Sequence, residues 1–173
     1  MKPGGIIAVM LAATVLTGCM TSTPGTKPAG KLADESYFMP DAEASRIVTV
    51  TETNSGPVLA NVLVQTQAVA VKENGPKDTL KRFGEVYAFS PAFFAVHRDE
   101  PTLIRFWNLQ PDDDHDFMLI DPHSKVLMKV LLPPVRETAF IFNFHEEGLF
   151  TFLCAMHQPA MTGQILVLPP RSP

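Results

Sequence analysis

Cysteine is scarce: the 173 residues hold two, Cys19 and Cys154. A small scaffold stapled by several disulfides is therefore excluded. Basic clusters are missing too. No stripe of Lys and Arg and no basic-aromatic run occurs, which speaks against a nucleic-acid partner. No apolar run reaches the ~20 residues needed to cross a bilayer. A glycine loop for phosphate, a triad pattern and paired carboxylates are likewise absent, so an enzyme is not expected. No stretch shows a helical hydrophobic period. The marks of disorder are also lacking, because 46% of the residues are hydrophobic and 18% charged, and the length suits one domain with an ordinary core.

What is present begins with an export signal. Lys2 supplies the positive charge and Ile6 to Leu16 the apolar core, followed by Leu16-Thr17-Gly18-Cys19. This ending resembles a bacterial lipoprotein signal, which implies lipidation of Cys19. The resemblance places the protein on the periplasmic or cell-surface side of a membrane, and Met20 after the cysteine resembles outer-membrane sorting. Residues 1–18 are thus read as the signal. Residues 19–36, rich in Thr, Ser, Pro, Gly and Lys, are read as a lipidated tether, and 37–173 as the folded domain. Of the 14 basic residues one, Lys2, lies in the signal, so 13 face 18 acidic residues, a net charge of about −5. That sign suits a basic protein partner.

With Cys19 lipidated, Cys154 has no intrachain partner. A lone thiol in an oxidising compartment calls for an explanation, and metal ligation is one.

The folded part reads as short apolar runs separated by Pro, Gly, Asp and Asn, at the spacing of an antiparallel β-sandwich. Strands are predicted near 46–53, 58–71, 86–89, 93–97, 102–108, 117–120, 126–131, 136–142, 148–154 and 163–168. The stretch 58–71 is expected to cover an edge of the sandwich or to form a contact surface. In Gly148 to Cys154 the residues alternate, so that Phe150, Phe152 and Cys154 share one face.

The segment EGLFTFLCAMHQPAMTGQILVL, residues 147–168, carries the chemistry. It holds a thiol, an imidazole and a thioether in the order C-x2-H-x3-M on one short loop between two strands. Thiolate and thioether are soft donors that favour Cu(I), imidazole accepts both copper oxidation states, and His2Cys with a weak axial Met is the blue-copper pattern. His115 best supplies the second imidazole, since it follows the turn Gln110-Pro111-Asp112-Asp113-Asp114 at a strand end. Ligands from two distant strands let the fold set the geometry. Gln158 is the alternative axial donor to Met161.

From about Phe83 to Leu168 the chain resembles the cupredoxin family, in FSPAFFAVHRDEPTLIRFWN, in DHDFML, and in GLFTFLCAMHQPAMTGQILV, which is similar to the family's G-x-Y-x-F-x-C-x-x-H loop. The resemblance implies a Greek-key β-sandwich of the cupredoxin type. It implies one copper ion held by His115, Cys154 and His157 as equatorial ligands and Met161 as the axial one. It also implies electron transfer between a redox donor and acceptor, with a monomeric protein expected. Copper delivery to another enzyme and a metal-free interaction module are the competing roles. Three features depart from the pattern: Asp116 stands where many members have Asn, C-x2-H is combined with H-x3-M, and Leu149-Phe150 replaces a frequent tyrosine. With one cysteine in the loop, a binuclear copper site is excluded. His97, His123 and His145 lie beside carboxylates and are expected to be solvated surface residues. Asp112 to Asp114 is expected to be a solvated turn that lends negative charge to the rim of the site. Trp107 and Asn108 are expected to close the strand before it.

Overall fold

In the computed structural model the described residues are 37–172. The export signal, Cys19 and the tether expected from the sequence lie outside them. Ten strands form: β1 Val48–Thr51, β2 Ala60–Ala70, β3 Val86–Ser90, β4 Phe93–His97, β5 Thr102–Asn108, β6 His115–Ile120, β7 Val126–Leu132, β8 Arg136–Phe144, β9 Gly148–Leu153 and β10 Thr162–Leu168. They build two five-stranded sheets, β1-β8-β5-β2-β3 and β4-β10-β9-β6-β7, which is the all-β sandwich expected from the sequence.

The alternation read along the chain is what closes the core. Phe117, Leu119, Phe150, Phe152, Ile165 and Val167 of one sheet face Ile104, Phe106, Phe142 and Phe89 of the other, all buried. Aromatic pairs bridge the layers, with ring centroids 4.3 Å apart for Phe106–Phe117, 5.2 Å for Phe89–Phe152 and 5.0 Å for Phe144–Phe150. Offset and edge-on pairs of this kind add about 1 kcal/mol each beyond area burial. Gly163 is required where β10 passes closest to that core: a Cβ there would enter the ring of Phe152 and stand 2.7 Å from the Ala92 carbonyl oxygen.

Four expectations are corrected. The sheets are mixed rather than antiparallel, since β2 runs parallel to β5 and β4 parallel to β10. Periodicity reveals which face a residue takes and says nothing of a neighbour's direction. The stretch 58–71 does not cover an edge: its strand, β2, lies inside its sheet between β5 and β3, with Leu63 and Val69 exposed on its outer face. A helix, α1 Lys77–Phe83, stands where none was read, ending on Gly84 at φ 73° with the Gly84 N–H donating to the Leu80 carbonyl. It has no buried residue, so no apolar stripe announces it. Boundaries also move, as β6 begins at His115 and β8 runs on to Phe144.

Candidate metal centre

The site grows out of the sheet β4-β10-β9-β6-β7. His115 opens β6, Cys154 follows the last residue of β9, and His157 and Met161 lie on the loop that returns to β10. Because β6 pairs with β9, with Leu119 opposite Phe152 and Met118 opposite Leu153, the start of β6 and the end of β9 reach the same rim. The loop is braced internally: the Cys154 N–H donates to the Met161 carbonyl at 2.9 Å, and the Met161 N–H to the His157 carbonyl at 3.1 Å. The Gln158 side-chain amide donates to the Cys154 carbonyl at 2.7 Å and the Met161 carbonyl at 3.1 Å. Gln158 is thus a loop brace, and its oxygen accepts from Thr162 Oγ1 at 3.2 Å. The alternative of Gln158 as axial donor is withdrawn on that geometry.

Three donor atoms converge. His115 Nδ1 and His157 Nδ1 are 3.0 Å apart, and Cys154 Sγ lies 3.5 Å from His157 Nδ1 and 3.9 Å from His115 Nδ1. Donors arranged around one ion at bond lengths of about 2.0–2.3 Å stand roughly 3.3–3.7 Å from one another. The observed separations bracket that range, and two soft or borderline nitrogens with one sulfur are the chemistry copper selects. The residues present therefore fit a mononuclear copper ion. Cys154, His115 and Met161 are fully buried, whereas His157 is half-buried.

Burial sets the electrostatics. It is the main cause that brings the His115 imidazole down to a pKa of about 4, with the neighbouring His157 adding to the effect and Asp113 opposing it. Burial likewise pushes the Cys154 thiol up, against lowering hydrogen bonds from backbone amides, Asp116 first among them. A metal must then displace the thiol proton, so metal uptake releases it and strengthens with pH.

The lowered histidine makes the metal-free protein acid-sensitive. Between about pH 6.5, the ordinary histidine value, and pH 4 the unfolded chain binds a proton that folded His115 does not. Stability contributed by the neutral ring is present above that window and lost as pH falls through it, by up to about 3 kcal/mol. Urea unfolding of metal-free protein at pH 7 and pH 4 is expected to show that loss, and His115→Gln to lack it; equal pH slopes in the two proteins would refute the assignment.

Several residues around the donors went unread in the sequence. Tyr87 of β3, on the opposite sheet, packs edge-on against both imidazoles, with ring centroids 4.8 Å from His115 and 4.6 Å from His157. Its hydroxyl donates to Asp113 Oδ2, and burial, then that bond, raises its pKa. Asn108, expected simply to close its strand, is a buried hub. Its amide nitrogen donates to the carbonyls of Asp113 at 2.8 Å and Leu132 at 2.9 Å, and its oxygen accepts from Thr66 Oγ1 at 3.0 Å and the Gln110 N–H at 3.0 Å. It thereby ties β5 to the approach to His115. Trp107 is about two-fifths exposed and donates to Glu137 at 2.6 Å.

Asp116 links the two ligand segments. It is fully buried, its N–H donates to Cys154 Sγ at 3.4 Å, and its Oδ1 accepts from the Ala155 N–H at 2.7 Å. Oδ2 faces Lys129 Nζ at 3.4 Å without a directed hydrogen bond, so that contact is one of charge. Lys129 also lies over the Tyr37 ring at 5.1 Å.

The remaining histidines stay away from the donors. His97 Nδ1 pairs with the Pro169 carbonyl and His123 with Glu146. His145, half-buried rather than freely solvated, is held at both ring nitrogens, by Thr49 and Asp99, each at 2.9 Å. Of the Asp112 to Asp114 turn, Asp112 and Asp114 are exposed and Asp113 is turned in to Tyr87.

No protein-family model and no curated protein sequence matches the chain. Among solved structures it is similar to auracyanin B, at 12% identity and a TM-score of 0.50 over 72% of this chain and 99% of that one. It is also similar to auracyanin A, described as a "blue" copper protein, from Chloroflexus aurantiacus, at 16% identity and 0.45 over 65% and 100%. The copper-containing nitrite reductase of Thermus scotoductus aligns at 12% identity and 0.46 over 66% of this chain and 32% of that one. The two-layer architecture and the first of these likenesses define the chain as a cupredoxin-like protein by fold. His115, Cys154 and His157 stand together at its rim, with Met161 closing the same loop.

Proposed function

We propose that this chain is a blue-copper electron-transfer protein, with copper held by His115, Cys154, His157 and Met161, and that it is anchored to a membrane through lipidated Cys19. The observation that carries the reading is the convergence of one buried thiol and two imidazole nitrogens within 3.0–3.9 Å of one another, contributed by two segments of chain that the fold itself fixes.

Copper, when bound, supplies a one-electron couple between Cu(II) and Cu(I), tuned by the axial donor and the surroundings of the sulfur. The protein's part is to hold the donors still and dry. Tyr87 walls both imidazoles, Asp116 locks the thiol-bearing loop to β6, and Gln158 fixes the loop's curvature. Fixed donors suit a shuttle, because little rearranges when the electron moves. They suit a copper carrier poorly, since delivery needs ligands that an acceptor can reach, and Cys154, His115 and Met161 are all buried. The half-buried His157 is the ligand through which electrons enter and leave.

Copper-loaded protein is expected to show an intense visible thiolate-to-copper band and the narrow hyperfine splitting of a covalent copper–sulfur bond in paramagnetic resonance. Stoichiometric copper without either signal would refute the reading. For the anchor, the support is the signal-like run ending at Cys19; fatty-acid labelling that persists in Cys19→Ala would overturn it.

A further inference from the structure

The domain is acidic overall, yet the surface beside His157 is not. The helix α1 carries Lys77, Lys81 and Arg82, all exposed. Most other cations of the described residues are spent in ion pairs, such as Lys72 with Glu85, Arg98 with Glu147, Lys125 with Glu43 and Lys129 with Asp116. Lys77, Lys81 and Arg82 take part in none of those ion pairs. The anions on the helix and in the segments flanking it are Asp78, exposed on the same helix, Glu73 before it, also exposed, and Glu85 after it, already engaged by Lys72 at 3.2 Å. The helix face thus keeps a net positive charge.

That face adjoins the electron-exchange ligand. A cleft of about 530 Å³ has Thr79, Arg82 and Phe83 of α1, with Glu85 and Val86 just after it, on one side and residues 157–160 of the ligand loop on the other, so that Lys77 and Lys81 stand outside the cleft itself. Phe83, which lines that cleft, is 69% exposed, so an apolar ring stands at its rim. Asp112 and Asp113 of the acidic turn belong to a different depression, shared with Glu73, Tyr87 and Val71. Net charge and local charge therefore point to opposite partners.

The geometry points to α1 and the adjoining cleft as the docking face for a protein partner whose own rim is acidic around a protruding apolar group. The inference rests on the reading of His157 as the ligand through which electrons pass. Charge complementarity chooses the partner, because a basic partner seated in the cleft would meet Arg82 there and the exposed Lys77 and Lys81 on the helix beside it. The concavity argues for protein over an anionic membrane: a cleft accepts a projecting side chain, and a seven-residue helix with one outward aromatic offers a bilayer little to bury.

Two probes test it. In the first, the metal-free, isotopically labelled full chain is titrated with the paramagnetic trianion hexacyanochromate(III). Amides of 77–83 and of His157, Gln158 and Ala160 are expected to broaden first and those of 112–114 last; broadening that begins elsewhere overturns the inference whatever the metal does. In the second, reduced copper-loaded protein gives one electron to hexacyanoferrate(III), with no proton transferred. The rate is expected to fall with rising salt despite the negative net charge, and Lys77→Glu/Lys81→Glu/Arg82→Glu to slow it about tenfold at low ionic strength and reverse the salt dependence. The Gln triple variant is expected to fall between. An unchanged rate with a normal blue band overturns the docking face alone, whereas absence of the band in the wild type overturns the copper reading and leaves the amide mapping to decide the face. Binding of the metal-free protein to anionic phosphatidylglycerol vesicles, lost in the Glu variant, would assign the helix to a membrane and refute the protein partner.

Discussion

Cys154→Ser yields a folded protein without the intense visible band and with much weaker copper retention. Serine is close to isosteric, so the buried pocket survives, and the Asp116 N–H that donates to Sγ at 3.4 Å keeps an acceptor. What disappears is the soft thiolate that favours Cu(I) and gives copper its colour. Two imidazoles and a thioether remain, and loss of one of the three strong donors is expected to weaken binding at least 100-fold. Visible absorption and competition against a copper chelator measure both effects. A variant that kept the band would show that Cys154 is not the sulfur ligand, and the proposed centre would fall with it.

Lys129→Met is the most destabilising single change expected in the support of the site, at about 3 kcal/mol. It strands the Asp116 carboxylate, fully buried, with Oδ2 facing the vacated position. Asp116→Asn, which keeps an oxygen for the Ala155 N–H at 2.7 Å while discarding the charge, is expected to change stability by less than about 1 kcal/mol. The double variant is expected to recover most of the loss caused by Lys129→Met, because two mutations that remove both members of a charge pair are non-additive. Chemical denaturation of the metal-free proteins closes the cycle. Additive effects would mean that Lys129 contributes through its contact with Tyr37 instead.

The cluster of His115, Cys154 and His157, with Met161 on the same loop, could be picked out in the sequence because its chemistry and spacing are largely local. Cys154, His157 and Met161 share eight residues of chain, and His115 is marked by the turn before it. Most strand positions were legible as well, since alternation such as Phe150, Phe152 and Cys154 records which side is dry. What lay beyond reach depends on contacts made in space. Tyr87 resembles any aromatic in a strand until β3 is laid opposite the ligand loop, and Asn108 becomes a hub only when Thr66, Asp113 and Leu132 surround it. Parallel neighbours leave no trace in a period of two. The helix α1 escaped for the opposite reason: its seven residues bury nothing, so hydrophobicity had no pattern to reveal.

The donors all hang from one layer of the sandwich, whereas Tyr87, which packs against both imidazoles, belongs to the other. The gap between layers is held by ring pairs deeper in the sandwich, among them Phe144 against Phe150. A smaller side chain in that stack, such as Phe150→Leu, is expected to let the layers settle and to press Tyr87 more closely on the histidines. If copper sits as proposed, the colour of the loaded protein is then expected to report on its interior, with repacking between the layers read as a displaced absorption maximum.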